Sequence, residues 1–475
     1  MEAALAIRWR DFGRVLAAQR GVLPAALALT AGLGLRLWML FKFFEVNGDS
    51  LIYGDLAKNL LLHGRYALSA PDGQVSSTLM RLPGYPLFLA ACFRLLGMEN
   101  YAAAAWVQIA LELLGCLLLA DFARRIAPSG WARGAGLATL WLGALCPFTA
   151  IYAAQPLTEA PTLFAIALAL WAVGRFHVRQ SWGSALAFTF AVVFAALLRP
   201  DGVLVGVALA PALPLGLRQA AIPRARMAKM ALACVLLALA PFGAWTWRNW
   251  RVFHVLQPLA PRYANDPGED TLPGFQRWVK TWCLDFVSTY DIYWNVPGGA
   301  LDLSKLPQRA FDSPGQYAET AALAADYNRS LDISPEMDSR FARLAKERIA
   351  SHPLRYYVWL PLGRVADMWL RPRVENLPID LDWWVYEHHN EETEFSWFYA
   401  GLNAVYLLLA AVGLWMRPRF WPWMVAYMVL RSAMLTTIEA PEARYTLECF
   451  PMLFVLGGIG LGGALRRIAN FSRML

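Results

Sequence analysis

Apolar runs close to membrane-spanning length recur along the chain, over residues 22–42, 102–121, 134–154, 157–174, 182–199, 203–217, 230–247, 397–416, 421–438 and 447–465. At 1.5 Å of rise per residue, about twenty such residues cross the roughly 30 Å hydrocarbon layer of a bilayer. The pattern predicts an all-α polytopic membrane protein with about ten transmembrane helices. Two polar stretches interrupt it. In the first, 43–101, Ile52, Leu56 and Leu60 form one stripe of a short helix predicted from Leu51 to Leu62. A second apolar piece there, Gly84 to Leu96, is too short to span comfortably and carries Arg94, which predicts an interfacial helix. The other stretch, 248–395, is polar and mixed, with Asp-Pro and Pro-Gly turn signals. Within it His352-Pro353 opens an amphipathic run to Leu370, again predicted to lie at the interface.

Residues 1–21 interleave Arg8, Arg10, Arg14 and Arg20 with Leu and Val and lack a cleavage-type ending. They predict an amphipathic helix on the cytoplasmic membrane surface rather than a signal peptide. The expected organisation is this helix, a transmembrane core over 22–247 that includes the outer loop 43–101, an outer-face region over 248–395, and C-terminal transmembrane helices over 396–475.

Composition agrees with the pattern. Of 475 residues 58% are hydrophobic and only 16% charged, well below the quarter usual for soluble domains. The 21 Trp and 17 Tyr suit interfacial belts. The net charge of +8 does not indicate nucleic acid, because the arginines cluster in alternate short turns: Arg124, Arg125 and Arg133; Arg175 and Arg179; Arg218, Arg224 and Arg226; Arg417 and Arg419; Arg466, Arg467 and Arg473. The positive-inside rule places these turns, and both termini, in the cytoplasm. The six Cys have no paired spacing, which argues against a disulfide framework or a thiolate metal site.

The opposite side mixes acids with bases: Asp49, Asp55, Glu159, Arg199, Asp201, Arg248, Glu439, Glu442 and Arg444. Charge gathered at outer helix ends suits a polar site at the membrane surface, whereas a transporter places charge or broken helices near mid-membrane. Asp49, ahead of the short helix, reads either as its N-cap or as a general base taking a proton from an acceptor hydroxyl. Tyr53, one turn on, shares its face and reads as a substrate contact or an interfacial anchor; Asp55 points elsewhere. Glu159 opens a span and reads as an assisting acid, as a cap, or as a partner of Asp49 on a divalent cation, Mg or Mn. Arg81, Arg248 and Arg444 lie where a lipid phosphate would rest and suit forked contacts to its oxygens, with snorkelling to headgroups as the plain alternative. His388-His389 with Glu391 and Glu392 lacks the spacing of a familiar metal site and reads as a solvated turn. No Walker A loop, GxGxxG with a following acid, HExxH or GxSxG occurs, so nucleotide-driven transport and soluble hydrolase chemistry lack support.

Several of these segments, in this order, resemble one family. Asp49-Ser50-Leu51-Ile52-Tyr53, Ala57-Lys58-Asn59-Leu60-Leu61, Gly64 and Arg81-Leu82-Pro83-Gly84-Tyr85-Pro86 are similar to the first outer loop of GT-C membrane glycosyltransferases. Within that superfamily the likeness is to bacterial aminoarabinose transferase and the protein O-mannosyltransferases. Leu157-Thr158-Glu159, Leu198-Arg199-Pro200-Asp201-Gly202, Arg248-Asn249, His352-Pro353 and Arg444-Tyr445 follow in the family's order. The resemblance implies a GT-C fold and inverting sugar transfer from a polyprenyl-phosphate-linked donor to a glycan, lipid or protein acceptor. It implies a bacterial inner membrane with a periplasmic site, and Asp49 and Glu159 as the loop acids; Tyr85, Arg199, Asp201 and Tyr445 are read as substrate contacts beside Tyr53. Many members pair Asp with Glu in the first loop, where this chain has Asp49-Ser50. Oligosaccharide polymerases or ligases, which also use lipid carriers, and lipid or solute transporters are the rival readings.

Overall fold

The structure, a computed structural model, describes residues 2–218 and 223–471. The side chains of segment 1–21, Arg218, Arg224 and Arg473 lie outside what it describes. In chain order the elements are α1 (Glu2–Phe43), α2 (Asp49–His63), β1 (Ala67–Ser69), β2 (Val75–Ser77), α3 (Gly84–Leu96), α4 (Tyr101–Ile126), α5 (Ala132–Ala144), α6 (Pro147–Ala153), α7 (Glu159–Val178), α8 (Trp182–Leu198), α9 (Val203–Leu209), α10 (Ala212–Arg218) and α11 (Arg224–Phe253). There follow α12 (Pro273–Lys280), α13 (Phe286–Ser288), α14 (Pro314–Ser330), α15 (Pro335–Ser351), α16 (Leu360–Leu370), α17 (Asn390–Trp415), α18 (Trp421–Leu435) and α19 (Phe450–Phe471). Among the described residues, six helices are long and apolar enough to cross a membrane, and seven if α5 and α6, bent by 56° at their junction, count as one broken span.

The ten expected spans meet shorter or broken elements at several places. The run 182–199 forms the 17-residue α8, 203–217 divides into α9 and α10, and 421–438 forms the 15-residue α18. A 15-residue helix reaches only about 22 Å, short of the hydrocarbon thickness.

The chain forms two compact units: residues 1–264, 405–427 and 448–475 make up the first, and 265–404 with 428–447 the second. In the first, helix burial runs opposite ways. Only 6% of the apolar window of α11 is buried and 89% of that of α19, so α11 presents Leu232, Leu236 and Leu239 outward while α19 forms the bundle's centre. Outward-facing leucines along a span require lipid as their solvent, and the chain is a multi-pass membrane protein. Small residues let α19 lie close on α5: a Cβ at Gly458 would sit 2.6 Å from the Thr139 nitrogen, and one at Gly462 would sit 2.7 Å from that of Ala135.

Charge also lies inside the bundle, away from the helix ends that the sequence singles out. Arg36 of α1 is fully buried, and its Nε donates to Glu112 Oε2 of α4 at 2.6 Å. Glu112 lies roughly 16 Å along α4 from Tyr101. The remaining Arg36 donors go to backbone carbonyls: Nη1 to Ala144 (2.7 Å) and Gly32 (2.9 Å), and Nη2 to Gly143 (3.2 Å). Ala144 and Gly143 close α5 immediately before the bend, where helix carbonyls lose their intrahelical donors. One guanidinium therefore satisfies both a buried carboxylate and the end of a broken helix.

In the second unit, Phe275, Trp278 and Trp282 pack with Leu323, Tyr327 and Phe341. The Asp338 carboxylate of α15 accepts from the Gly274 and Phe275 nitrogens at 2.9 Å each, capping α12 from a neighbouring helix. The amphipathic run after His352-Pro353 folds as a π-helical turn, Arg355–Trp359, that continues into α16. Asp367 on α16 lies 3.6 Å from Arg371, and burial pushes its carboxyl up to about 6 against the opposing pull of that guanidinium. A folded-state value above the unfolded one means that the native state binds the extra proton. Stability is therefore expected to fall as pH rises from about 4 to about 6, by up to roughly 3 kcal/mol. Asp367→Asn should flatten that slope in thermal unfolding of the detergent-solubilised protein; an unchanged slope would reject the assignment.

Candidate active site

The loop 43–101 of the first unit is built around α2 and α3. Gly48 and Gly64 bracket α2. Gly64 adopts φ +62°, and its nitrogen and that of Arg65 return to the Leu60 and Asn59 carbonyls, a left-handed helix end that favours glycine. The hairpin β1–β2, absent from the sequence reading, is pinned to α2 by side chains. Buried Asn59 donates to the Ala67 carbonyl and to Ser69 Oγ at 3.0 Å each, and Asp55 accepts from the Ser69 nitrogen at 2.6 Å and from Ser69 Oγ at 2.9 Å. Asp55 thus has a structural task.

Asp49 is the first residue of α2, Gly48 stands at the cap position, and the helix start has no side-chain cap. The Asp49 Oδ1 accepts from Arg81 Nη2 at 2.8 Å, with both side chains about a quarter exposed. The Arg81 Nε is buried and meets no acceptor among the described residues.

Arg81 is held in place by its loop. The Tyr66 hydroxyl donates to the Arg81 and Leu82 carbonyls at 3.1 Å each. Arg248, expected on a phosphate, instead donates to the Thr78 carbonyl (2.7 Å) and the Tyr66 carbonyl (2.6 Å). Its guanidinium also stacks 5.3–5.5 Å from the ring centroids of Tyr66, Trp245 and Phe253. Arg248 thereby braces the loop that carries Arg81.

At the start of α3, a Cβ on Gly84 would lie 2.5 Å from the Leu197 carbonyl carbon, so only glycine lets this loop close onto the end of α8. That end delivers Arg199, whose guanidinium gathers three carboxylates: Glu448 (2.9 Å), Glu159 (3.2 Å) and Asp201 (3.5 Å). Glu159 and Glu448 are each about 2% exposed, and the Tyr427 hydroxyl donates to Glu448 at 3.4 Å. Glu448 escaped the sequence reading because it sits in the first turn before an apolar run, far in the chain from its partner.

Tyr53 connects the two charge groups. Burial first, then the nearby Asp49 carboxylate, push its phenol up to about 12, while Arg81, Arg199 and Glu159 also act on it. It is therefore a neutral hydroxyl at physiological pH and not a competing base. Its ring meets Tyr85 edge-on at 5.0 Å. Tyr85, expected to touch substrate, is fully buried and donates to Gln108 Oε1 at 2.6 Å, so it supports Tyr53 from behind. Arg444 and Tyr445 belong to the second unit, where both engage Glu442, Arg444 at 2.5 Å. A guanidinium stands on each carboxylate expected to share a cation, Arg81 on Asp49 and Arg199 on Glu159, which gives the Mg or Mn expectation no support.

No protein-family model matches the sequence, and no similar curated protein is found. Solved structures similar to the chain exist. The archaeal oligosaccharyltransferase AglB from Archaeoglobus fulgidus, in complex with an inhibitory peptide and a dolichol-phosphate, aligns at 10% identity and a TM-score of 0.47. That alignment covers 96% of this chain and 51% of AglB. An Archaeoglobus fulgidus oligosaccharyltransferase tethered with an acceptor peptide gives 12% identity and a TM-score of 0.48, over 96% of this chain and 51% of its own. ArnT from Cupriavidus metallidurans, bound to undecaprenyl phosphate, gives 15% identity and a TM-score of 0.38 over 94% of this chain and 77% of its own. The chain spans about half the length of the oligosaccharyltransferase. Likeness at this level assigns no side chain a role.

Among the described residues, then, Asp49, Arg81, Tyr53, Glu159, Arg199 and Asp201 belong to one end of the first unit, joined by Glu448, which the sequence did not single out.

Proposed function

We propose that the chain is a membrane glycosyltransferase of the GT-C type that moves a sugar from a polyprenyl-phosphate donor to an acceptor at the outer, periplasmic face. The observation that carries this reading is the Asp49–Arg81 pair: a partly exposed carboxylate held 2.8 Å from an arginine whose Nε has no acceptor among the described residues. A lipid phosphate entering the site would take Arg81 from Asp49 and use the spare Nε as the second tooth of the fork. Asp49, released, takes the proton of the acceptor hydroxyl as its oxygen attacks the anomeric carbon. The bond from that carbon to the phosphate oxygen breaks with inversion, and Arg81 stabilises the polyprenyl phosphate that leaves. Neutral Tyr53 offers an O–H donor beside the reacting groups. The acids around Arg199 tie the neighbouring helix ends together through that shared guanidinium.

The buried Arg36–Glu112 pair and the α5–α6 break are features that a transporter would have. Arg36, however, is fully buried with four acceptors on its guanidinium, which makes it a fixed fastening rather than the lining of a path.

The test supplies purified protein, in bilayer discs, with polyprenyl-phosphate monosaccharides and cell-envelope acceptors, followed by mass spectrometry. Release of polyprenyl phosphate together with a glycosylated product supports the reading. Turnover only of pyrophosphate-linked oligosaccharide would favour a polymerase or ligase, and the absence of any transfer would remove the proposal.

A further inference from the structure

Behind Arg373 the chain runs to Arg417 without a single Lys or Arg, yet carries seven Asp or Glu between residues 374 and 394. Three of these acids converge on one imidazole in the second unit. His389 Nδ1 lies 3.5 Å from Asp380 Oδ2 and 3.9 Å from Glu392 Oε2, while its Nε2 lies 3.3 Å from Asp382 Oδ1. The donor atoms of Asp380, His389 and Glu392 fall within 4.8 Å of one another. Ligands held at about 2.0–2.1 Å around a tetrahedral zinc are spaced by roughly 3.4 Å, close to what is seen.

The orientation of the ring sharpens this. With Nε2 turned to the Asp382 carboxylate, Nδ1 faces the oxygens of Asp380 and Glu392. Carboxylate oxygens gathered at this spacing are offset by a positive centre between them. A carboxylate on the far nitrogen of a histidine is also the usual outer support of a metal-bound imidazole. We propose that Asp380, His389 and Glu392 hold a divalent cation of the zinc class, oriented by Asp382 and completed by water. The nitrogen ligand favours zinc-like ions over the all-oxygen preference of calcium or magnesium. Asp380 and Asp382 are exposed, which gives the ion an entry path, whereas His389 is largely covered. The ion would fasten the loop 374–389 to the first turn of α17, where the Asp380 nitrogen already donates to Glu392 Oε2 at 2.8 Å. Of the neighbours His388 and His389, read together as a solvated turn, only His389 joins the group.

The experiment uses the full chain in detergent, purified through a tag without histidines, stripped with chelator and titrated with Co(II) as the probe. One equivalent of Co(II) with tetrahedral visible absorption is expected, displaced by zinc. His389→Ala should abolish that binding, Asp382→Asn should weaken it by about 10–100-fold, and His388→Ala should leave it unchanged. The proposal is overturned if the unaltered protein takes up no Co(II), if His389→Ala binds as well as the parent, or if His388→Ala loses binding equally. His388→Ala and Asp382→Asn change exposed groups and guard against loss through misfolding. None of these readouts depends on sugar transfer, so the failure of this site and the failure of the glycosyltransferase reading are separable.

Discussion

Asp49→Asn is expected to lower the rate of sugar transfer by about 10²–10⁴-fold, the usual contribution of a positioned general base. The amide keeps the shape of the side chain and the start of α2, so expression and thermal stability should match the parent. The Asp49–Arg81 pair is partly exposed and contributes at most about 1 kcal/mol to folding. Because Arg81 remains, the loss should appear in kcat, with the donor KM little changed. Arg81→Lys should behave differently, raising the donor KM through loss of the forked contact and lowering kcat less than Asp49→Asn. Asn at position 49 with full activity would remove this carboxylate from the chemistry.

The second large effect concerns folding. Arg36→Met leaves Glu112 buried in the bundle without its partner and strips donors from the Gly143 and Ala144 carbonyls. Breaking a buried pair from one side costs about 3–5 kcal/mol, whereas replacing both members by apolar residues is often neutral. The single variant should therefore show a strongly lowered unfolding temperature in detergent. The double variant Arg36→Met with Glu112→Leu should recover most of it, short of the contribution of the two helix-end carbonyls. Activity per folded molecule should survive in the double variant. A pair that couples transport would instead abolish function in the double variant even where the fold is restored, and that result would revive the transporter reading.

Local punctuation made part of this architecture legible. The helices predicted over Leu51–Leu62 and Gly84–Leu96 are found as α2 and α3, because Gly48, Gly64, Pro83 and Gly97 mark their ends in the chain itself. Asp49 and Arg81 were both named from sequence, and the fold brings them together. What the chain did not disclose depends on partners far away in it. Arg36 and Glu112 each look like a lone charge within an apolar run, and only packing shows that they meet across 76 residues. Glu448 depends in the same way on Arg199. The β1–β2 hairpin has three-residue strands with no hydrophobic alternation to betray them, and it exists because Asn59 and Asp55 reach across to it. Arg248 was singled out for its place at a helix end, but its carbonyl and aromatic partners, which decide its task, belong to a loop 170 or more residues earlier. Apolar length alone does not reveal where a helix breaks, as at the 56° bend after Ala144 inside the run 134–154.

The most direct measurement is an experimental structure of the protein in a bilayer disc with polyprenyl phosphate bound. The account predicts a phosphate oxygen about 2.7–2.9 Å from the Arg81 guanidinium, with the Asp49 carboxylate parted from it and turned toward the space beside Tyr53. A phosphate lodged against other side chains, with the Asp49–Arg81 pair intact, would contradict it.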